Sequence, residues 1–347
     1  MTSTVSQSTG GAASRPAAGP IPAAPAKPKG NTDPRYLALR NFAISISIFN
    51  IFGYTLLGFE QPWLWPFISV LYAYTLEIGF EMISAWAQRR PRRFLGNGMR
   101  GLYEFLLPAH ITALACNMLL YGNDQIWPIL FAVGVGVTGK HALQAPVQGR
   151  MRHFMNPSNF GITMTLLVFG GTWMSIAPPY EFTEKANTFF RVMIIVIIAT
   201  AGTVINALLT KKTLLIVGWM GGFFLQAAVR HWIWDVALFN AWGPMTGVAF
   251  ILFSNYMISD PGTTPSRPRN GFMFGASVAT VYGVMMVFNV VYTLFFATSF
   301  VCAARGAGWW VAHLLKKRKA ARGAQPMAPL PYGRAAPAGA GAGAVAT

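Results

Sequence analysis

Between two long apolar stretches the chain reads Ser259-Asp260-Pro261-Gly262-Thr263-Thr264-Pro265-Ser266-Arg267-Pro268-Arg269-Asn270-Gly271. The flanks, 249–257 and 272–287, read as lipid-embedded helix. Prolines at 261, 265 and 268 with glycines at 262 and 271 stop a helix from running through, so the backbone turns here. Irregular backbone at membrane depth survives only where protein or a water-filled cavity surrounds it. The stretch therefore marks a turn and a place for a site.

Composition agrees with the flanks. Of 347 residues, 54% are hydrophobic and 11% charged, against about 25% charged in soluble domains. Runs such as 192–209 and 271–288 approach the roughly 20 apolar residues that span a bilayer. The fold class expected is an all-α polytopic membrane protein. A net charge of +17 raises nucleic acid as a partner. The basic residues nevertheless fall in short clusters between apolar spans, as loops on one membrane face do. No RNA-binding aromatic motif, zinc spacing or helix-turn-helix pattern stands beside them. The lipid bilayer is the expected partner. Cys116 and Cys302 lie inside apolar spans without CxxC spacing, so they read as buried hydrophobes and no metal site is expected.

Residues 1–34, rich in Ala, Pro, Gly, Ser and Thr, read as a disordered tail. A transmembrane domain over 35–315 follows, then a basic, low-complexity tail over 316–347. Ten spans are expected at 41–59, 65–87, 101–121, 126–139, 158–176, 189–209, 213–232, 243–258, 271–288 and 290–305. The fourth is short and leads into another interruption, 139–157, the first of two breaks in chain order, read as broken or re-entrant. The last two are separated because about 35 continuous helical residues would reach roughly 52 Å, past the hydrocarbon core. With both termini in the cytoplasm, 24 of the 27 Lys and Arg fall inside; only Lys185, Arg191 and Arg230 fall outside. A nine-span layout would put Lys316, Lys317, Arg318 and Lys319 outside, against that asymmetry. A cell membrane crossed several times is the implied location. Residues 308–315, with Trp309 and Trp310, suit a helix lying in the interface.

Ten carboxylates in the whole chain make each placement informative. Glu77 and Glu81 share one face of the second span. An ionisable group in lipid costs roughly 3 kcal/mol and faces a partner or cavity. Glu77 is read as part of a cation or proton path, and Glu81 as a rim pair for the arginines at 89–93. Glu104 and His110 lie in the third span. In the first break, Asn156-Pro157 suits a helix start, Asn as cap and Pro in the first turn. Ser158 and Asn159 follow it. Arg150, Arg152 and His153 beside that start suit either an anion or lipid headgroups. In the second break, Asp260-Pro261 is expected to cap the ninth span. Thr263, Thr264 and Ser266 supply hydroxyls, while Arg267 and Arg269 supply charge. Pro157 and Pro261 lie 104 residues apart, a hint of internal duplication, and paired interruptions point to a transporter-type site. The stretch His231-Trp232-Ile233-Trp234-Asp235 reads as aromatic anchoring at the opposite interface.

Two motifs, Asn156-Pro157-Ser158-Asn159-Phe160-Gly161 and Ser259 to Pro265 followed by Gly271-Phe272-Met273-Phe274-Gly275, carry a resemblance. They resemble the NqrB/RnfD family, the membrane component shared by the sodium-pumping NADH:quinone reductase and the Rnf electron-transport complex. The likeness covers roughly 40–305 and is nearest to UnbU-type membrane proteins of enediyne antibiotic gene clusters. It implies ten spans, both termini inside, and partners among membrane electron-transport or biosynthetic proteins. Redox members of that family carry FMN on a threonine in a Ser-x-Ala-Thr pattern in an outer loop. Here the corresponding loop, 177–187, is short and lacks it, while the pattern at Ser277 to Thr280 falls inside an apolar helix. Covalent FMN is therefore not expected, and noncovalent FMN or riboflavin is the one cofactor left open. The expectation is a non-catalytic protein moving an ion or small solute, or supporting electron transport, beside a biosynthetic pathway. A flavin-bearing redox protein of an electron-transport complex and a membrane anchor for biosynthetic enzymes are the alternatives.

Overall fold

The polar interruptions turn the chain as their prolines and glycines require. The computed structural model describes residues 34–55, 59, 61–96, 98–147, 149–171, 175–176 and 188–323. Residues 1–33 and 324–347 of the terminal tails expected at 1–34 and 316–347, and the 177–187 loop, lie outside these residues. Helices α1 (Pro34–Thr55), α2 (Trp65–Ala87) and α3 (Gly98–Leu119) come first, then strand β1 (Leu120–Tyr121) and α4 (Trp127–Ala142). Strands β2 (Gln144–Val147) and β3 (Arg150–His153) lead to α5 (Pro157–Phe169), β4 (Ser175–Ile176) and α6 (Thr188–Val204), which runs into a π-helical turn, Ile205–Thr210. After α7 (Thr213–Trp234) come the short α8 (Leu238–Trp242) and α9 (Val248–Leu252), with a second π turn at Phe253–Met257. The chain closes with α10 (Pro268–Val287) and α11 (Thr293–Gly323).

Among the described residues, α1, α2, α3, α7, α10 and α11 are long and apolar enough to cross a membrane. This is an all-α, multi-pass integral membrane protein. The gap expected between the last two spans is present. Asn289 and Tyr292 adopt positive φ (54° and 61°) and end the helical run after Val287.

Four expectations need correction. The first break is no re-entrant helix: β2 and β3 form an antiparallel hairpin, with Gln144 opposite His153 and Val147 opposite Arg150. Gly149 makes this turn possible at φ 78°, a conformation that costs an L side chain dearly. The segment 243–258 is no single helix, because Gly243, Pro244 and Gly247 divide it into a 3-10 turn, α9 and a π turn. The interfacial helix at 308–315 is instead the continuation of α11, as are residues 316–323 of the expected tail. No proline interrupts 293–323, so nothing forces a bend there. Finally, Asp260 does not cap the helix after the second break. Arg267 occupies that position and Pro268 opens the first turn.

Close glycine contacts fix the helix directions. An added Cβ on Gly161 of α5 would overlap the Ala132 carbonyl of α4, and one on Gly136 would meet the Pro157 oxygen. The pair α4–α5 is therefore antiparallel. Gly218 lies against Phe272, Gly222 against Ala279 and Gly283 against Gln226, so α7 and α10 run parallel. The two breaks thus feed differently paired helices, against the simple duplication that the proline spacing hinted at. Small residues at such contacts let backbones approach where lipid offers no hydrophobic drive between helices. A valine at Gly161 or Gly275 should lower the thermal unfolding midpoint in detergent, equivalent to about 1–3 kcal/mol of overpacking. Gly79→Ala, with nothing within 4 Å of its added methyl, should not; equal behaviour of all three variants would contradict this packing.

Candidate functional site at the junction of the two breaks

The two breaks meet. Asn156 Oδ1 accepts from the Asn159 backbone N–H (3.1 Å) and from the Ser158 hydroxyl (3.0 Å), capping α5. Its Nδ2 donates across 101 residues to the Met257 carbonyl (3.0 Å), at the end of the second π turn. Three residues on, Asp260 organises the second break. Its Oδ2 accepts from the Thr263 hydroxyl (2.7 Å) and its Oδ1 from the Gly262 N–H (3.2 Å). The Thr264 hydroxyl donates to the Asp260 carbonyl (2.5 Å). Two cations from other elements hold the turn from outside. Lys212 donates to the Pro265 carbonyl (2.5 Å), and Arg305 of α11 donates to the Thr263 carbonyl while packing over the Trp309 ring, 4.3 Å from its centroid.

A run of ionisable side chains leads away from this junction. Glu77 of α2, 2% exposed, accepts from Lys140 Nζ (2.5 Å) and pairs with His141 Nε2 (3.2 Å), both from the last turn of α4. Lys140 in turn lines a cavity of about 130 Å³ together with His153, Asn156, Ser158, Asp260 and Gly262. Leu39 and Phe42 of α1, with Ile111 and Thr112 of α3, close its other side. Gly262 shapes the space: a Cβ there would sit 3.4 Å from His153 Nε2 and 3.3 Å from Asp260 Oδ2. The imidazole and the carboxylate thus face one gap, open because residue 262 has no side chain. Gly262 is exposed, so the cavity has its mouth there.

Charge in the cavity is not balanced by pairing. Lys140 is matched by Glu77, whereas no ion pair reaches Asp260 among the described residues. Burial pushes the His153 pKa below the ordinary imidazole range. The positive charges of Lys140 and His141 add to this, against the opposing pull of Asp260 and Glu77. A neutral His153 leaves the Asp260 carboxylate as the group able to attract a cation or a hydrogen-bond donor.

The other expected site residues take different places. Ser158 and Asn159 are buried, but Asn159 Nδ2 serves the helix contact with α11, donating to the Phe295 carbonyl (3.0 Å) and to Ser299 (2.8 Å). Thr263 and Thr264 are buried supports of the turn. Glu81 accepts both guanidinium nitrogens of Arg90 (2.5 and 3.0 Å) and the Arg93 N–H (2.9 Å), a rim pair. Arg150, Arg152, Arg267 and Arg269 are exposed, as lipid headgroup contacts require. Thr280 of the Ser-x-Ala-Thr pattern is exposed on α10 and bonds the Ala276 carbonyl (3.0 Å) within its own helix.

Sequence reasoning missed Lys140 and His141 as partners of Glu77; their place at the end of an apolar run was the available signal. It also missed Gly262, which nothing in the sequence separates from an ordinary turn glycine. Comparison with protein-family models and with curated proteins finds no match for this chain.

Two outcomes follow from the charges. Glu77→Ala strands the Lys140 ammonium and should cost about 3–5 kcal/mol, whereas the Glu77→Ala/Lys140→Met double variant should recover much of it. Thermal unfolding of the four proteins in the cycle measures this, and strict additivity would remove the pair's importance. A neutral, half-buried His153 binds its proton less readily folded than unfolded. Stability is thus full above the unfolded pKa of about 6.5 and falls as pH drops below it. His153→Gln should flatten the loss of thermal stability between about pH 7 and 5; an unchanged slope would assign the loss elsewhere.

Proposed function

We propose that this protein moves a small ion or solute across a bacterial inner membrane, with the cavity between the two breaks as its central site. The observation that carries this reading is the gap at Gly262, where Asp260 and His153 face a space of about 130 Å³. That volume is many times the roughly 10–15 Å³ one water needs. It lies below the roughly 300 Å³ where pockets for drug-sized ligands begin. A flavin ring system is too large for it, and a small ion or solute of a few heavy atoms fits.

The wider reading is ten spans on a scaffold of the NqrB/RnfD type, with both termini in the cytoplasm. Its support is the clustering of basic residues. Lys212 and Arg305 both donate to carbonyls of the second break, Arg150 and Arg152 stand on the hairpin of the first, and Arg90 and Arg93 pair with Glu81 near the end of α2. One basic end is what cytoplasmic loops require. The service we propose is to an enediyne-type biosynthetic pathway or a membrane electron-transport assembly, on the resemblance of the two breaks.

Reconstituted protein on a solid-supported membrane, challenged with a panel of monovalent ions and small polar solutes, tests the site. A current or solute-driven response is expected in the wild type, reduced by roughly tenfold or more in Asp260→Asn. Filling the gap with Gly262→Leu should do the same. A response that persists in both folded variants, or none from the wild type across the panel, would overturn the reading.

A further inference from the structure

We infer that α1, α2 and α3 carry a proton path from the cavity toward the opposite end of the bundle. Its cavity end rests on the reading just given; its remainder stands on separate observations. The seam between these helices is apolar in composition, yet polar side chains recur along one line of it.

The first rung is His110 of α3. Its Nε2 lies 2.8 Å from the Ser47 hydroxyl of α1 and its Nδ1 lies 2.9 Å from the Tyr74 hydroxyl of α2. Ser47 already donates its hydrogen to the Ala43 carbonyl (2.8 Å). The Nε2 therefore carries the ring proton and donates to Ser47, while Nδ1 accepts from Tyr74. The second rung repeats this seven residues along both helices. Asn117 of α3 donates to the Tyr54 hydroxyl of α1 (2.7 Å), and Gln61 beyond Tyr54 donates to the Leu120 carbonyl (2.8 Å). Seven residues are two helical turns, so the rungs stack on one face about 10 Å apart.

Between them stands Asn50, one turn from Ser47 and one from Tyr54. Asn50 is 4% exposed and Asn117 1%, and the side-chain oxygen of each has no hydrogen-bond partner among the described residues. A buried amide oxygen without a donor costs about 1–3 kcal/mol. Both lie on the same line, so water threading this line is the donor that satisfies them. On the cavity side, Tyr74 is one turn from Glu77 on the same face of α2. Glu77 binds Lys140 and His141, and Lys140 lines the cavity with His153 and Asp260. Polar groups thus run from Gly262 to Leu120.

Proton transfer along this line balances without a co-reactant. His110 gains an N–H at Nδ1 as the Tyr74 O–H breaks, and its Nε2 N–H breaks as a new O–H forms at Ser47, whose own O–H breaks as that proton passes to the water at Asn50. Tyr74 is refilled from the Glu77 side, and ring tautomer exchange resets His110. No electron moves. Hydroxyl, imidazole and amide-bound water suit this hopping, whereas a larger ion would have to displace Phe42 and Ile111 at the cavity wall.

Vesicles containing the full-length protein and the pH-sensitive dye pyranine, driven by a valinomycin-set potassium potential, provide the test. Internal acidification faster than in protein-free vesicles is expected. His110→Phe should slow it by roughly tenfold or more, as should Tyr74→Phe, while the exposed His231→Phe should leave it unchanged. Should His110→Phe fail to fold, His110→Gln, which keeps hydrogen-bonding groups without a titrating ring, is expected to give the same loss. Acidification no faster than in empty vesicles, or wild-type rates in a folded His110 variant, would overturn the path. If the ion and solute panel responds while protons do not move, the path falls and the cavity reading stands. Proton flow that survives Asp260→Asn would keep the seam and remove the cavity as its entrance.

Discussion

One primary amide holds the architecture together. Asn156 has a carbonyl oxygen that closes the open end of α5 and an NH₂ that reaches the backbone of a turn 101 residues away. A helix start in lipid needs its free N–H groups met, and a π turn leaves carbonyls aimed outward; one side chain answers both needs. Because His153 precedes Asn156 by three residues and Asp260 follows Met257 by three, this bond also sets the imidazole and carboxylate face to face. The site is thus a by-product of how two chain interruptions satisfy each other.

Buried polar groups in this protein divide into two kinds. Some are fully used: Trp219 bonds Ser254 (2.8 Å), Asn206 bonds the Asn255 carbonyl (2.6 Å), and the Thr163 hydroxyl bonds Ser299 (2.8 Å). These join helices, as polar side chains do where lipid cannot compete for their hydrogen bonds. Others keep spare capacity. Among the described residues no ion pair reaches Asp260, and the oxygens of Asn50 and Asn117 have no donor. The second kind has room for a water or a ligand, and it bears on function where such groups line up with a cavity, as Asp260 does.

Much of the helix layout was legible because lipid imposes a simple rule of apolar length, which alone separated the last two spans, while the prolines and glycines at 259–271 mark a stop directly. The hairpin was not legible. Arg150, Met151, Arg152 and His153 have no strand alternation, and pairing arises from the turn at Gly149 and the close ends of α4 and α5. Glu81 could be matched to the arginines nearby in sequence, since both lie at one helix end. The partners of Glu77 come from a helix more than sixty residues away, and no local pattern specifies which helix that is. Gly262 presents the same difficulty in another form, for its role is a missing side chain opposite residues from a distant hairpin. The seam on α1 and α3 carried a fainter signal, polar residues seven apart in two spans.

The unbroken course of α11 has a mechanical consequence. Arg305 grips the second break through the Thr263 carbonyl, Gly306 lies against Phe154, and Trp310 donates to the Gln144 carbonyl of the hairpin (3.0 Å). Past Trp310 the helix continues to Gly323, about 20 Å of rod, with its side chains exposed from residue 311 to 321. The exposed end is a lever whose fulcrum touches both halves of the cavity mouth. Any load on Lys316 to Lys319 would be carried along this rod to the turn that holds Asp260.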